Sequence, residues 1–105
     1  MKPWTDYHVD LISELKDPET AASYLNAALE DGNRQAFLMA LRHVLEAQGG
    51  MTKIAKATKI NRVSLYKMLQ GGGNPGFDNV LKLMKAVGIH FTVKPKKSRQ
   101  TPKAA

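Results

Sequence analysis

The chain contains no cysteine, and only one tryptophan, three tyrosines and three phenylalanines among its 105 residues. Without cysteine there is no disulfide scaffold and no thiolate-held metal, a composition suited to a reducing compartment. No apolar run approaches the roughly 20 residues needed to cross a bilayer. The opening stretch MKPWTDYHVD is too polar for a secretory signal, so the expectation is a cytoplasmic protein away from membranes. His8, His43 and His90 show no metal-ligand spacing and are expected on the surface or the core's rim. No nucleophile, base and acid set can be assembled. The glycine-rich stretch Gln70–Gly76 lacks both GxxxxGK[ST] and GxGxxG after a strand. The expectation is a non-enzyme without cofactor or metal.

Acidic residues are also missing over one long interval, from Glu46 to Asp78. The total charge of +7 therefore hides an uneven distribution. Residues 1–50 hold four basic residues against eight acidic ones, a net of −4. Residues 51–94 hold eight basic residues against Asp78 alone, a net of +7, and residues 95–105 add +4. An acidic half and a basic half point to two kinds of partner. Phosphate backbones suit the second half and a basic surface suits the first.

Length allows one domain with one modest core. Residues 1–16 form an N-terminal arm in which two patterns compete. Tyr7, Val9 and Leu11 alternate as in a strand, while Leu11, Ile12 and Leu15 fit a helical turn. Trp4 is expected to pack on the domain surface. The first clear helix opens at Asp17-Pro18-Glu19, with Asp17 as N-cap and Pro18 at the first helical position. Ala21, Ala22, Leu25, Ala28 and Leu29 form its inner stripe, and Gly32 ends it at C′. Asn33 caps a second helix to about Gln48, with Phe37, Leu38, Leu41, Val44 and Leu45 inward and Gly49-Gly50 as its stop.

Met51–Leu69 reads as two short helices joined by a tight turn. Ile54 and Ala55 line the inner face of the first, Ile60 lies in the turn, and Leu65, Met68 and Leu69 line the second. Ala55 is small where the two axes cross most closely. Asn61 stands in the N-cap position of the second helix. Arg62, Val63, Ser64, Tyr66, Lys67 and Gln70 take its outward positions. A buried back with an Arg/Ser/Tyr/Lys/Gln front is what a major-groove reading helix requires. Asn61 to Ser64 and Lys67 would face base edges, with Arg62 bidentate to guanine and Asn61 or Gln70 on adenine or phosphate. Thr52 and Lys53, opening the preceding helix, would meet the phosphate backbone. The competing account is a solvated polar face on a structural helix.

A further helix over 77–87 follows, with Phe77, Val80, Leu81, Met84 and Val87 inward. Ile89, Phe91 and Val93 then alternate with polar neighbours up to Pro95, a strand pattern. Such a strand needs a partner, either the Tyr7–Leu11 stretch or a second chain, and Ile89, Phe91 and Val93 are the expected dimer surface. Residues 95–105, PKKSRQTPKAA, are expected to be a disordered basic tail.

Residues 51–70 resemble the helix-turn-helix of the lambda-repressor-like (Xre-type) family. Ala55 falls on that family's small-residue position, and Leu65 and Met68 on its apolar positions. One departure is Lys59, where the family's turn carries Gly. Residues 11–95 also resemble the antidote proteins of HigB/HigA-type toxin–antitoxin modules. That likeness rests on LISELKDPETAASYLNAALEDG, GGMTKIAKAT, NRVSLYKML, GNPGFDNVLKLMKAVGI and FTVKP in this order and spacing.

The resemblance implies an all-α, five-helix lambda-repressor-like DNA-binding domain over 17–94, with a short C-terminal β-strand. It also implies a dimeric antitoxin that binds a small basic RelE/ParE-like toxin and represses its own operon at a palindromic site on double-stranded DNA. No compact motif marks toxin-contacting residues; Tyr24, Glu30 and Asp31 in the acidic half are the trial choices. Two other readings stand beside it: an Xre-type regulator without a toxin partner, and an interaction module that kept the fold and lost DNA binding.

Overall fold

The computed structural model describes residues 4–70 and 72–95, and side chains from Tyr7 onward. The expectations for the Trp4 side chain and for the basic tail beyond Pro95 lie outside the described residues. Six α-helices follow one another: α1 (Trp4–Glu14), α2 (Pro18–Glu30), α3 (Arg34–Ala47), α4 (Met51–Thr58), α5 (Arg62–Leu69) and α6 (Phe77–Ala86). Helix α3 is the hub, packing on α1, α2, α4 and α5, while α6 packs on α4.

The extra helix relative to the expected five is α1, and tertiary packing explains it. In helical form the arm turns Leu11 and Ile12 toward the core and buries Leu15 fully. Tyr7 and Val9, which shared the strand pattern with Leu11, are left exposed. The end of α1 is then tied to the far end of α3. Gln48 Nε2 donates to the carbonyls of Leu15 and Lys16, at 2.9 and 3.1 Å.

Helix limits follow the local chemistry. Asp17 Oδ2 accepts from the Thr20 backbone N–H at 2.9 Å and from its hydroxyl at 2.8 Å. These bonds hold the Asp17 carboxyl below its usual range. Asn33 Oδ1 accepts from Ala36 N–H at 3.1 Å. Caps of this kind contribute about 1 kcal/mol each. At the end of α6, Gly88 (φ +75°) donates to Lys85 O at 3.0 Å and Ile89 donates to Met84 O at 3.0 Å. That pair of bonds is a Schellman motif, which satisfies the last carbonyls and turns the chain.

The core runs through every helix from Leu15 to Val87, with Leu41, Val44, Leu45, Leu65 and Leu83 fully enclosed. In α6 the inner stripe is Val80, Leu83, Met84 and Val87, a helical spacing. Phe77 and Leu81, expected inward, are exposed, because they lie to one side of that stripe. Leu29, expected inward on α2, is exposed as well.

The expected strand at Ile89–Val93 does not form: the described residues contain no strand, and 89–95 is irregular. The alternation is present, but α1 occupies the one stretch of this chain expected to supply a paired edge, the other expected partner being a second chain. Ile89 and Phe91 instead rest against the core, and the Phe91 ring stacks on Phe77 with centroids 6.2 Å apart.

Candidate nucleic-acid interface

Helices α4 and α5 are joined by Lys59, Ile60 and Asn61, and each turn residue has a definite task. Lys59 closes α4 in the left-handed region at φ +62°, the conformation for which the resembling family uses Gly. Thr58 Oγ1 donates to Ile54 O at 2.8 Å and accepts from Ile60 N–H at 3.3 Å. Ile60 plugs toward the core. Asn61 Oδ1 accepts from Val63 N–H at 2.8 Å and Ser64 N–H at 3.2 Å. The expected N-cap is therefore present. It commits that oxygen to the helix, so Asn61 keeps only its amide donors for a ligand.

Met51, Ile54, Leu65 and Leu69 are buried behind the pair, with Ala55 and Met68 partly so. The opposite side exposes Thr52, Lys53 and Lys56 on α4 and Arg62, Val63, Ser64 and Lys67 on α5. Thr52 and Lys53 lie in the first turn of α4, whose N-cap, Gly50, provides no side-chain oxygen. Those leading N–H groups therefore combine with the Lys53 cation and a positive dipole end, a combination that favours anions. Val63 is 63% exposed, an apolar patch among polar groups that matches a thymine methyl in size and chemistry.

Two of the expected outward residues sit differently. Gln70 lies beyond α5 in extended backbone (φ −88°, ψ 172°), so it is exposed but off the helix face. Tyr66 is half-buried against the core rather than projecting outward. Its ring carries two guanidinium groups, with Arg42 Cζ 5.4 Å and Arg62 Cζ 5.6 Å from the centroid. Arg42 comes from α3 and has no local sequence signal linking it to this face. A Cβ at Gly73 would collide with the Met68 carbonyl, so glycine there lets the chain turn tightly off α5.

The remaining expected residues fall into two other places. Ile89 and Phe91 are partly buried beside exposed Phe77 and Leu81, and Val93 is 96% exposed. Tyr24 and Asp31 line a shallow groove between the end of α2 and the start of α3, while exposed Glu30 stands outside it. The Tyr24 hydroxyl is 2.8 Å from His43 Nδ1, and burial raises the pKa of Tyr24. His43 in turn meets His8 edge-on at 5.5 Å between centroids. His8 Nε2 is 3.4 Å from Glu46 Oε1, and Arg42 Nε is 3.8 Å from Glu46 Oε2.

Fold and surface together define a small all-helical protein with a basic two-helix face and an acidic half built on α1 to α3. A family model described as "probable addiction module antidote protein" matches residues 6–95. An uncharacterized protein of Haemophilus influenzae (strain Rd) is similar: it is 39% identical over 84 residues, spanning 80% of this chain and 86% of its own. No solved structure matches. The chain belongs to the addiction-module antidote family, a class that implies a toxin as partner. No helix among the described residues is long and apolar enough to cross a membrane.

Proposed function

We propose that this protein is a DNA-binding antitoxin that masks a small basic RelE/ParE-like toxin and represses its own operon. It acts by binding alone, without catalysis, and α4–turn–α5 serves as a helix-turn-helix of the Xre type. The observation that carries the DNA assignment is the α5 face: Arg62, Val63, Ser64 and Lys67 are exposed in front of buried Leu65 and Leu69. Helix α5 enters the major groove with its first turn toward base edges, and α4 meets the phosphates through Thr52 and Lys53.

Two copies associate through Phe77, Leu81, Ile89, Phe91 and Val93. Their recognition helices then stand about 34 Å apart, one helical turn of a palindromic operator. Toxin engages the acidic half, leaving the basic face for DNA.

The test is a gel-shift titration on the promoter fragment upstream of the coding region. Arg62→Ala is expected to abolish specific binding while circular dichroism stays unchanged, because Arg62 is exposed and outside the core. A guanine contact of this type is worth roughly 1–3 kcal/mol. Unchanged operator affinity in that variant would sink the assignment.

A further inference from the structure

We infer that the groove between α1 and α3 is the docking site for the basic toxin, an inference that rests on the antitoxin reading above. The groove is about 690 Å3 in volume and is lined by Tyr7, His8, Asp10, Leu11, Glu14, Met39 and His43. Its apolar side chains are unusually open: Tyr7 is 64% and Met39 55% exposed. Flexible Met and amphipathic Tyr are side chains that protein interfaces enrich.

Charge selects the occupant. Asp10 and Glu14 stand on the groove, and residues 1–50 as a whole carry −4. A basic protein surface that offers an aliphatic side chain flanked by Lys or Arg complements this arrangement. A second copy of the acidic half would be repelled from it. Placement supports the same occupant. Helix α1 packs on α3, and α4 packs on α5 and α6. The groove residues belong to α1 and α3, whereas Thr52, Lys53, Arg62 and Lys67 belong to α4 and α5. Docking in the groove therefore uses none of the basic face, and one chain can hold partner and DNA together.

Of Tyr24, Glu30 and Asp31, Tyr24 and Asp31 line a different groove and Glu30 stands outside both. Met39 borders the two grooves, whereas Tyr7 and Glu14 belong to the α1–α3 groove alone, so variants at those two separate the sites. The probe is the product of the reading frame adjacent to the one for this chain, co-expressed and titrated against the full chain. Three variants are compared with wild type: Tyr7→Glu, Glu14→Lys, and the double variant Glu30→Lys/Asp31→Lys. All four positions are exposed, so the fold is retained and circular dichroism verifies it. Tyr7→Glu is the decisive one, because it adds negative charge yet removes an apolar wall of this groove alone. Both groove variants are expected to weaken binding roughly tenfold or more, as loss of a central anchor does. The double variant should stay within about threefold of wild type, in keeping with rim positions.

If Tyr7→Glu binds as wild type or more tightly, attraction is by charge alone and the groove assignment is overturned. The same holds if only the double variant loses affinity. In both cases the antitoxin reading survives, because wild type still binds. If wild type neither binds the neighbour nor rescues cells from it, the antitoxin reading fails and takes the groove with it.

Discussion

The guanidinium of Arg62 lies over the ring of Tyr66 one helical turn away, with Cζ 5.6 Å from the centroid. Arg42 from α3 sits 5.4 Å from the same centroid and is itself drawn toward Glu46. On the proposed DNA-binding reading, Tyr66 supports Arg62 from behind. A cation–π contact at a partly exposed site is worth about 0.5–1 kcal/mol. Tyr66→Leu keeps the packing and removes the ring, so operator affinity should fall roughly two- to fivefold, the equivalent of that energy. A loss as complete as that of Arg62→Ala would show instead that Tyr66 contacts DNA itself. Fluorescence anisotropy with a labelled promoter fragment separates the two.

Lys59 is the only described non-glycine residue at positive φ. A left-handed conformation costs an L-residue roughly 1–2 kcal/mol, which glycine avoids. Glycine's freer unfolded chain offsets part of that gain. Lys59→Gly should therefore stabilise the protein by up to about 1 kcal/mol, read as a higher urea midpoint at unchanged slope. A lower midpoint would show that the Lys59 side chain makes a stabilising contribution larger than the backbone strain.

Where sequence and structure agree, the signals were local and redundant. Asp17, Asn33 and Asn61 each cap a helix through a side-chain oxygen, in the positions their spacing predicted. The inner stripes of α3, α4 and α5 follow from apolar periodicity, and the charge asymmetry could be read directly. Where they part, the deciding contact came from a distant element. The arm of residues 1–16 holds both periods, and only the packing of Leu11, Ile12 and Leu15, with the Gln48 clamp, selects helix. That choice removes the partner within this chain that an Ile89–Val93 strand would have had, one of the two it was expected to use. Arg42 under Tyr66 was invisible for the same reason. Periodicity also cannot say where a stripe ends, so Phe77 and Leu81 were assigned inward.

Those two residues bear on assembly. Phe77 is 68% exposed yet stacks on Phe91, and Leu81 and Val93 are exposed as well. Apolar surface of this kind is costly to leave in water, and a second copy would cover it. Phe91→Lys should convert a dimer to monomer in light scattering. Because Phe91 also touches the core, Phe77→Lys is the companion variant, exposed and clear of the buried stripe. An intact dimer in both variants would place the interface elsewhere, and operator binding at low concentration should weaken only if the dimer is lost.

Acid should weaken the fold through His43. Burial lowers its pKa below 6.5, opposed by Glu46 and reinforced by His8 and Arg42. A neutral imidazole can accept the Tyr24 hydroxyl proton at Nδ1, whereas an imidazolium has no lone pair left for it. The folded state therefore binds its proton less readily than the unfolded chain, and stability rises with pH across the interval between the two pKa values. The contribution is fully present above the unfolded value of about 6.5 and is lost as pH falls through the folded one. Urea midpoints should be level from about pH 7 to 8 and decline toward pH 5, more steeply in wild type than in His43→Gln. Equal slopes in the two proteins would assign the acid sensitivity to other groups, with the capped carboxylate of Asp17 the next to examine at lower pH.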